Sequence, residues 1–265
     1  MPNVPLQICE TCFFKNGLCK GLSDEEFRSI FEQTKQNTYK KGEIILKQGS
    51  KCTELIFLTS GIVKFVTESN GKELIVAIDK AQTLLGLANI LNEDINLFTI
   101  VAVEECHGCV ISLNRFKIFI TSNRKFMFEI MGLSTQMFRA AIFNFISVAR
   151  KQSNGRVADV LLYLSDKIYE ARSFSLGLSR QELAEYAGCS REQIIHTLRA
   201  FSNDGIIRVS GKNVEILDYD KLLTISRVGS ERGTRKSKIN KSTNQQINNS
   251  TNQYSTNQQM EKWNF

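Results

Sequence analysis

Histidine, proline and tryptophan are scarce in this chain of 265 residues, with two, two and one copies. With only His107 and His196 there is no H-E-x-x-H pair to hold a catalytic zinc. A cysteine nucleophile would have His107 as its sole neighbouring base, inside an apparent strand. No G-x-x-x-x-G-K loop is present to cradle a nucleotide's phosphates. These absences argue against an enzyme. No uncharged run is long enough to span a bilayer, so no membrane partner is expected. The start, Met1-Pro-Asn-Val-Pro-Leu followed by cysteines and charge, is not a secretory signal. A cytoplasmic protein is expected, and in a reducing cytoplasm its seven cysteines read as thiols or metal ligands rather than disulfides.

The chain is long enough for two modest domains, each with its own core. Its net charge of +7 suits a nucleic-acid partner, but +4 of that lies beyond Gly229, so charge alone supports DNA binding only weakly. That last stretch repeats Ser-Thr-Asn-Gln at Ser242, Ser250 and Ser255 and carries few apolar residues, which predicts a disordered basic tail over 229–265. It is either dispensable or an arm that adds phosphate contacts.

Ahead of the tail the pattern changes three times. Residues 1–20 form a cysteine-bearing segment, and Ser23 with Glu26 makes a capping box for a first helix. From Tyr39 to about Leu113, short apolar runs (Glu43–Leu46, Leu55–Leu58, Ile62–Val66, Leu74–Ile78) alternate with glycine turns, one of them Asn70-Gly71. That pattern predicts an all-β barrel or roll within a sensor domain of 21–115. From Phe116 to Lys151 proline is absent, and Met127, Met131, Ser134, Phe138, Ala141, Phe145 and Val148 step by four and three. This is a heptad seam, and it predicts a dimerisation helix within 116–152 and a homodimer. Phe126, Ile130, Leu133, Met137 and Ile142 make a second apolar face for the helix's own subunit. Ser153-Asn154-Gly155 reads as a hinge, followed by a helix over Arg156–Glu170 and a DNA-binding domain over 153–228.

The most specific stretch runs from Leu178 to Phe201. Ser179 and Glu182 form a capping box, Leu183, Ala184 and Ala187 an inner face, and Gly188 a left-handed stop. Ser190 then caps a second helix with Ile194, Ile195, Leu198 and Phe201 inside. Two short helices across a glycine turn are a helix-turn-helix, and a hairpin turning at Ser210-Gly211-Lys212-Asn213 supplies a wing. Arg191, Glu192 and His196 face outward near the start of the second helix, where base edges in the major groove are met. Arginine can bridge guanine O6 and N7, and glutamate can accept from cytosine N4. Ser179, Arg180, Ser190 and Lys212 complete the candidate double-stranded DNA contacts.

Arg180-Gln-Glu-Leu-Ala, Gly188-Cys-Ser-Arg-Glu and Ile206-Ile-Arg-Val-Ser-Gly-Lys resemble the DNA-binding domain of the cyclic-AMP receptor protein/FNR superfamily. Lys41-Gly-Glu-Ile-Ile-Leu-Lys-Gln-Gly, Leu58-Thr-Ser-Gly-Ile-Val-Lys and Gly155-Arg-Val-Ala extend the likeness over about residues 9 to 225. The resemblance implies an α+β chain: a cyclic-nucleotide-binding-like β-roll (a double-stranded β-helix), a long dimerisation helix and a winged helix-turn-helix. It also implies base reading by Arg191 and Glu192, a roughly palindromic operator, and RNA polymerase as a partner. Where the family often has arginine, this chain has His196. Cys189, in the turn, reads as structural.

In the cyclic-nucleotide branch of that superfamily, an arginine holds the phosphate and a glutamate just after a glycine holds the ribose. Here Leu87 takes the glutamate's place, and no lysine or arginine lies between Ala81 and Asn114. A buried phosphate would lack a cation from this segment, so cyclic AMP is not the expected ligand. Cys9, Cys12 and Cys19 give C-x2-C-x6-C, three soft ligands able to wrap one metal and one short of four. Resemblance to the FNR branch of oxygen sensors implies the fourth, Cys109, with Cys106 as the alternative, and a 4Fe–4S cluster. The spacing between Cys12 and Cys19 is one residue longer than that branch's pattern, which leaves zinc, or thiols with no metal, as the other readings. Cys52 and His107 read as incidental.

Overall fold

The computed structural model of the protein describes residues 13–16, 18–31, 34–69, 71–90 and 95–228. Cys9, Cys12 and the polar tail lie outside the described residues. Strand alternation organises the N-terminal half. One four-stranded antiparallel sheet runs β1 (Lys35–Tyr39), β8 (Cys106–Ser112), β3 (Glu54–Ser60), β6 (Thr83–Leu85). A second runs β2 (Ile44–Leu46), β7 (Thr99–Ala102), β4 (Ile62–Ser69), β5 (Lys72–Lys80), with Ser69 paired to Lys72 at the end of its long hairpin. β3, β4 and β5 run three or four residues beyond their apolar runs, because flanking polar residues complete the backbone ladders, while β2 begins one residue after Glu43.

Because side chains alternate faces, each sheet has two apolar sides. Ile56, Leu58, Val63, Phe65, Ile100, Ala102, Cys106 and Val110 meet between the sheets. Leu55, Phe57, Cys109 and Ile111 point out of the first sheet. Short helices α1 (Phe13–Asn16) and α2 (Asp24–Phe31), with α3 (Leu113–Ser122) and the start of α4 (Arg124–Arg150), cover that outer face. Phe57 sits at its centre, with Phe14, Phe31 and Phe116 rings 4.4–6.2 Å away. Ile62, Val66, Ile75 and Ile78 point out of the second sheet and share a core with the C-terminal domain.

The structure corrects three expectations about the helices. The stretch from Phe116 to Lys151 is two helices, because Asn123 leaves the helical conformation at φ −113° and ψ 97°. Its side chain accepts from the Phe126 amide and donates to Glu26 Oε1 at 2.6 Å, so the break is a cap tied to α2. Ser153-Asn154-Gly155 is no hinge: it is the first turn of α5 (Ser153–Tyr163), and the non-helical residues are Lys151 and Gln152. Gly155 is buried there, so it serves close packing rather than freedom. The expected helix to Glu170 also ends early, at Tyr163, and a single π turn over Leu164–Ile168 follows. The C-terminal domain then contains β9 (Ser173–Ser175), α6 (Arg180–Ala187), α7 (Arg191–Asn203), the wing strands β10 (Ile207–Ser210) and β11 (Asn213–Ile216), and α8 (Tyr219–Val228).

Gly61 joins β3 to β4 at φ +95°, and a β-carbon there would lie 2.6 Å from Cys106 Sγ and from the Glu105 carbonyl oxygen. Both strain and contact oppose a side chain. Gly61→Ala is expected to cost about 2–3 kcal/mol in urea unfolding of the full chain. A loss under about 0.5 kcal/mol would contradict this packing.

Candidate functional site

The helix-turn-helix is built by two reciprocal caps. The Ser179 amide donates to Glu182 Oε2 at 2.6 Å while Ser179 Oγ accepts from the Glu182 amide. Ser190 and Gln193 repeat the arrangement at the head of α7. Between them Gly188 takes φ 61° and ψ 39°, and its amide bonds back to Ala184 and Glu185. Leu183, Ala184, Ala187, Ile194, Leu198 and Phe201 are buried, as the inner faces predict; Ile195 is half-buried.

Arg191, Glu192 and His196 are exposed on α7, with Ser179, Ser190 and Lys212 also exposed. Arg180 is half-buried, and its guanidinium donates to the wing carbonyl of Gly211 at 3.0 Å, joining α6 to the wing. The Glu192 carboxylate folds back on the helix start. Its own amide, then the Ser190 hydroxyl, hold it below the usual carboxylate range. Arg199, seven residues after Glu192, is also exposed on the stripe that carries His196, a spacing readable from the sequence.

Helix α6 is also seated on the second sheet of the roll. Lys64 Nζ lies 2.5 Å from Glu182 Oε1, Tyr163 donates to the Ile78 carbonyl at 2.7 Å, and Lys41 donates to the Gly177 carbonyl. Burial raises the Glu182 pKa, but the Lys64 ammonium and the Ser179 donors outweigh it, so the carboxylate lies below its ordinary range.

The cysteines divide by strand face. Cys109 and Cys19 are buried in the same apolar cluster, outside the first sheet and beneath α1 and α2. Cys106, three residues earlier, turns into the roll, donates to the Ile62 and Glu104 carbonyls, and burial pushes its thiol up. Cys52, read as incidental, belongs to the Cys19 and Cys109 cluster; only the fold could reveal this, since it lies 57 residues from Cys109. Asn89 Nδ2 donates to its sulfur. Cys189 is half-buried against the core of the C-terminal domain. His107 is exposed and bonded to Thr38, so it does not join the buried thiols. Among the described residues no three His, Cys, Asp or Glu side chains are arranged to hold a metal. Leu87 is buried in the same cluster.

Along α4, Phe126 and Ile130 are buried, with Met127 and Leu133 packed beside them. Beyond that, Met131, Ser134, Phe138, Ala141, Phe145 and Val148 are all exposed, Phe138 by 67% and Phe145 by 70%. Met137 and Ile142 of the second face are exposed as well, so the described residues cover that face only over its first turns.

Residues 36–123 match the cyclic nucleotide-binding domain family and residues 155–225 the Crp-like helix-turn-helix domain family, together more than half of the chain. The chain belongs to the Crp/Fnr superfamily. Among the similar relatives of this Crp/Fnr protein, the transcriptional activator protein anr of Pseudomonas aeruginosa is 26% identical over 84% of this chain and 94% of its own length. The anaerobic regulatory protein of Aggregatibacter actinomycetemcomitans is also 26% identical, over 81% and 82%. The solved structure of FixK2 from Bradyrhizobium japonicum superposes with a TM-score of 0.67 at 17% identity, over 76% of this chain and 99% of FixK2, a likeness of fold alone. This Crp/Fnr protein is a DNA-binding transcription regulator, not an enzyme. No helix among its described residues is long and apolar enough to cross a membrane.

The Glu182 contact has a pH signature. Its folded pKa is depressed, so its contribution is present above the ordinary glutamate range and is lost as the pH falls through the folded value. Glu182→Gln should cost about 1–2 kcal/mol near neutrality and progressively less as the pH falls below the ordinary glutamate range. Thermal unfolding of both forms across that range checks this; an equal loss at both ends would contradict it.

Proposed function

We propose that this regulator works in the cytoplasm as a homodimer on a roughly palindromic operator, acting through RNA polymerase, with DNA affinity controlled by an oxygen-labile 4Fe–4S cluster on Cys9, Cys12, Cys19 and Cys109. The observation that carries the redox part is the division of cysteines on β8: Cys109 shares a cluster with Cys19, and Cys106 faces away. Two of the four proposed ligands therefore lie in one buried cluster, and the other two precede α1 in the sequence. The anaerobic regulatory protein among the relatives is in keeping with this reading. Buried Leu87, with no lysine or arginine between Ala81 and Asn114, speaks against cyclic AMP.

When bound, an oxygen-labile cluster would link Cys9, Cys12, Cys19 and Cys109 through thiolate ligation, a tie that would be lost with the cluster. The chain's own residues would carry its effect. Cys19 lies between α1 and α2, and Glu26 of α2 holds the Asn123 cap of α4. Phe27 and Phe31 stack with ring centroids 4.4 Å apart in the core shared with Phe126 at the start of α4. Ordering the N-terminal segment would thus secure the first turn of the helix whose seam is exposed. Anything that binds only that arrangement shifts the population toward it.

Protein purified without oxygen should show a broad visible band with iron and sulfide that bleaches in air. Cys109→Ser should abolish the band and Cys106→Ser should retain it. Colourless protein with zinc would make the cysteines a structural clip. Colourless, metal-free protein that still binds one operator tightly would favour an uncharged effector or a constitutive regulator.

Arg191→Ala should weaken binding to an operator selected from randomised duplexes by about 1–3 kcal/mol and relax preference at one base position. Lys212→Ala should weaken all sequences about equally and reduce the salt slope by about one. Gel-shift titrations at several salt concentrations distinguish them, and a uniform loss for Arg191→Ala would remove its base-reading role.

A further inference from the structure

The junction between the long helix and the DNA-reading domain holds one carboxylate that neither the DNA contacts nor the cysteines use. Asp159, in the middle of α5, accepts from Ser147 Oγ at 2.5 Å in the last turn of α4. It takes both oxygens to Lys151 Nζ at 2.8 Å, at the cap of the same helix. It also accepts from Ser226 Oγ of α8 at 2.5 Å, and Ser226 is buried. Three donors from two other elements thus converge on one side chain. Other contacts also cross the junction. Tyr186 of α6 bonds to Asn144 of α4, and the Gly188 turn abuts Val148, whose Cγ1 would lie 3.3 Å from an added β-carbon. At the start of α5, Asn154 Oδ1 accepts from the buried Thr197 of α7 at 2.8 Å.

We infer that Asp159 is a positioning residue that bolts α5 to the end of α4 and thereby fixes the angle between the dimer helix and the recognition helix, which sets the operator half-site spacing. The physical reasoning is that Lys151 and Gln152 are the only non-helical link between α4 and α5. Two free backbone torsion pairs would let the domain swing, and a charged, multiply bonded node across the link removes that freedom. Asp159 also passes the constraint on, because α5 holds α7 through Asn154 and Thr197. The role rests on the proposed dimer, since spacing has no meaning for one recognition helix.

The test uses the full chain. An operator is first selected from a fully randomised duplex library, and affinities are then measured for that operator, for versions lengthened or shortened at the centre by one or two base pairs, and for a single half-site. Asp159→Asn keeps the shape but loses the charge; Ser226→Ala removes one donor and disturbs folding less. Both are expected to bind the half-site within about twofold of wild type, to lose about tenfold on the selected operator, and to tolerate altered spacing better than wild type does. Equal losses on half-site and operator would mean a general folding defect and overturn the positioning role. An unchanged spacing preference in both variants would also overturn it, leaving the dimer intact. Sedimentation of the wild type is run alongside, and a monomer would refute the dimer reading and the spacing role together.

Discussion

A helix that leaves the body of its own chain must put its apolar side chains somewhere. From Met131 to Val148, α4 presents methionine, phenylalanine, isoleucine and valine to solvent at nearly every turn, and no other described element covers them. Each large side chain of this kind is worth about 1.5–3 kcal/mol when buried. Among the described residues the deficit is not made up, because the roll and α2 reach only the first turns of α4. The proposed dimer follows from this deficit more than from any single contact. The rest hangs on it: the symmetry of the operator, the use of a labile centre near the helix start, and the need for a stiff joint at the helix end.

The two ends of α4 are fastened differently. At the start, the Asn123 cap is held by Glu26, an element tied to the segment that carries Cys19. At the far end, Ser147 and Lys151 are held by Asp159 in the DNA-reading domain. The first tie is a side-chain hydrogen bond at the edge of an aromatic core that buries Phe126 and Ile130; the second is a charged node with three donors. The helix is thus held at the sensing end by apolar packing and at the reading end by a polar node, and its exposed middle is left to the proposed partner.

What could be read from the sequence was what is encoded within a few residues. The capping boxes at Ser179 and Ser190, the left-handed Gly188, the β4–β5 hairpin and the seam of α4 all depend on neighbours one helical or hairpin turn away. The break at Asn123 escaped notice because its second partner, Glu26, is 97 residues distant. The hinge was misplaced because Gly155 looks flexible in isolation, and its purpose as a close-packing residue exists only in the folded domain. Strand alternation could have separated Cys109 from Cys106 beforehand, given the register of β8. The membership of Cys52 in the cluster that holds Cys19, the Lys64–Glu182 contact and the Asp159 node are all tertiary, formed by residues whose spacing carries no local pattern.

Leu87 has a consequence for how such a roll could acquire a different input. Its side chain helps fill the cluster that holds Phe57, Phe116 and the buried thiols. Replacing it with a carboxylate alone would strand a charge among aromatic rings, with no lysine or arginine from Ala81 to Asn114 to neutralise it. A change toward a phosphate-bearing signal therefore calls for more than one substitution here, because the leucine serves the packing of the roll as well as the exclusion of charge.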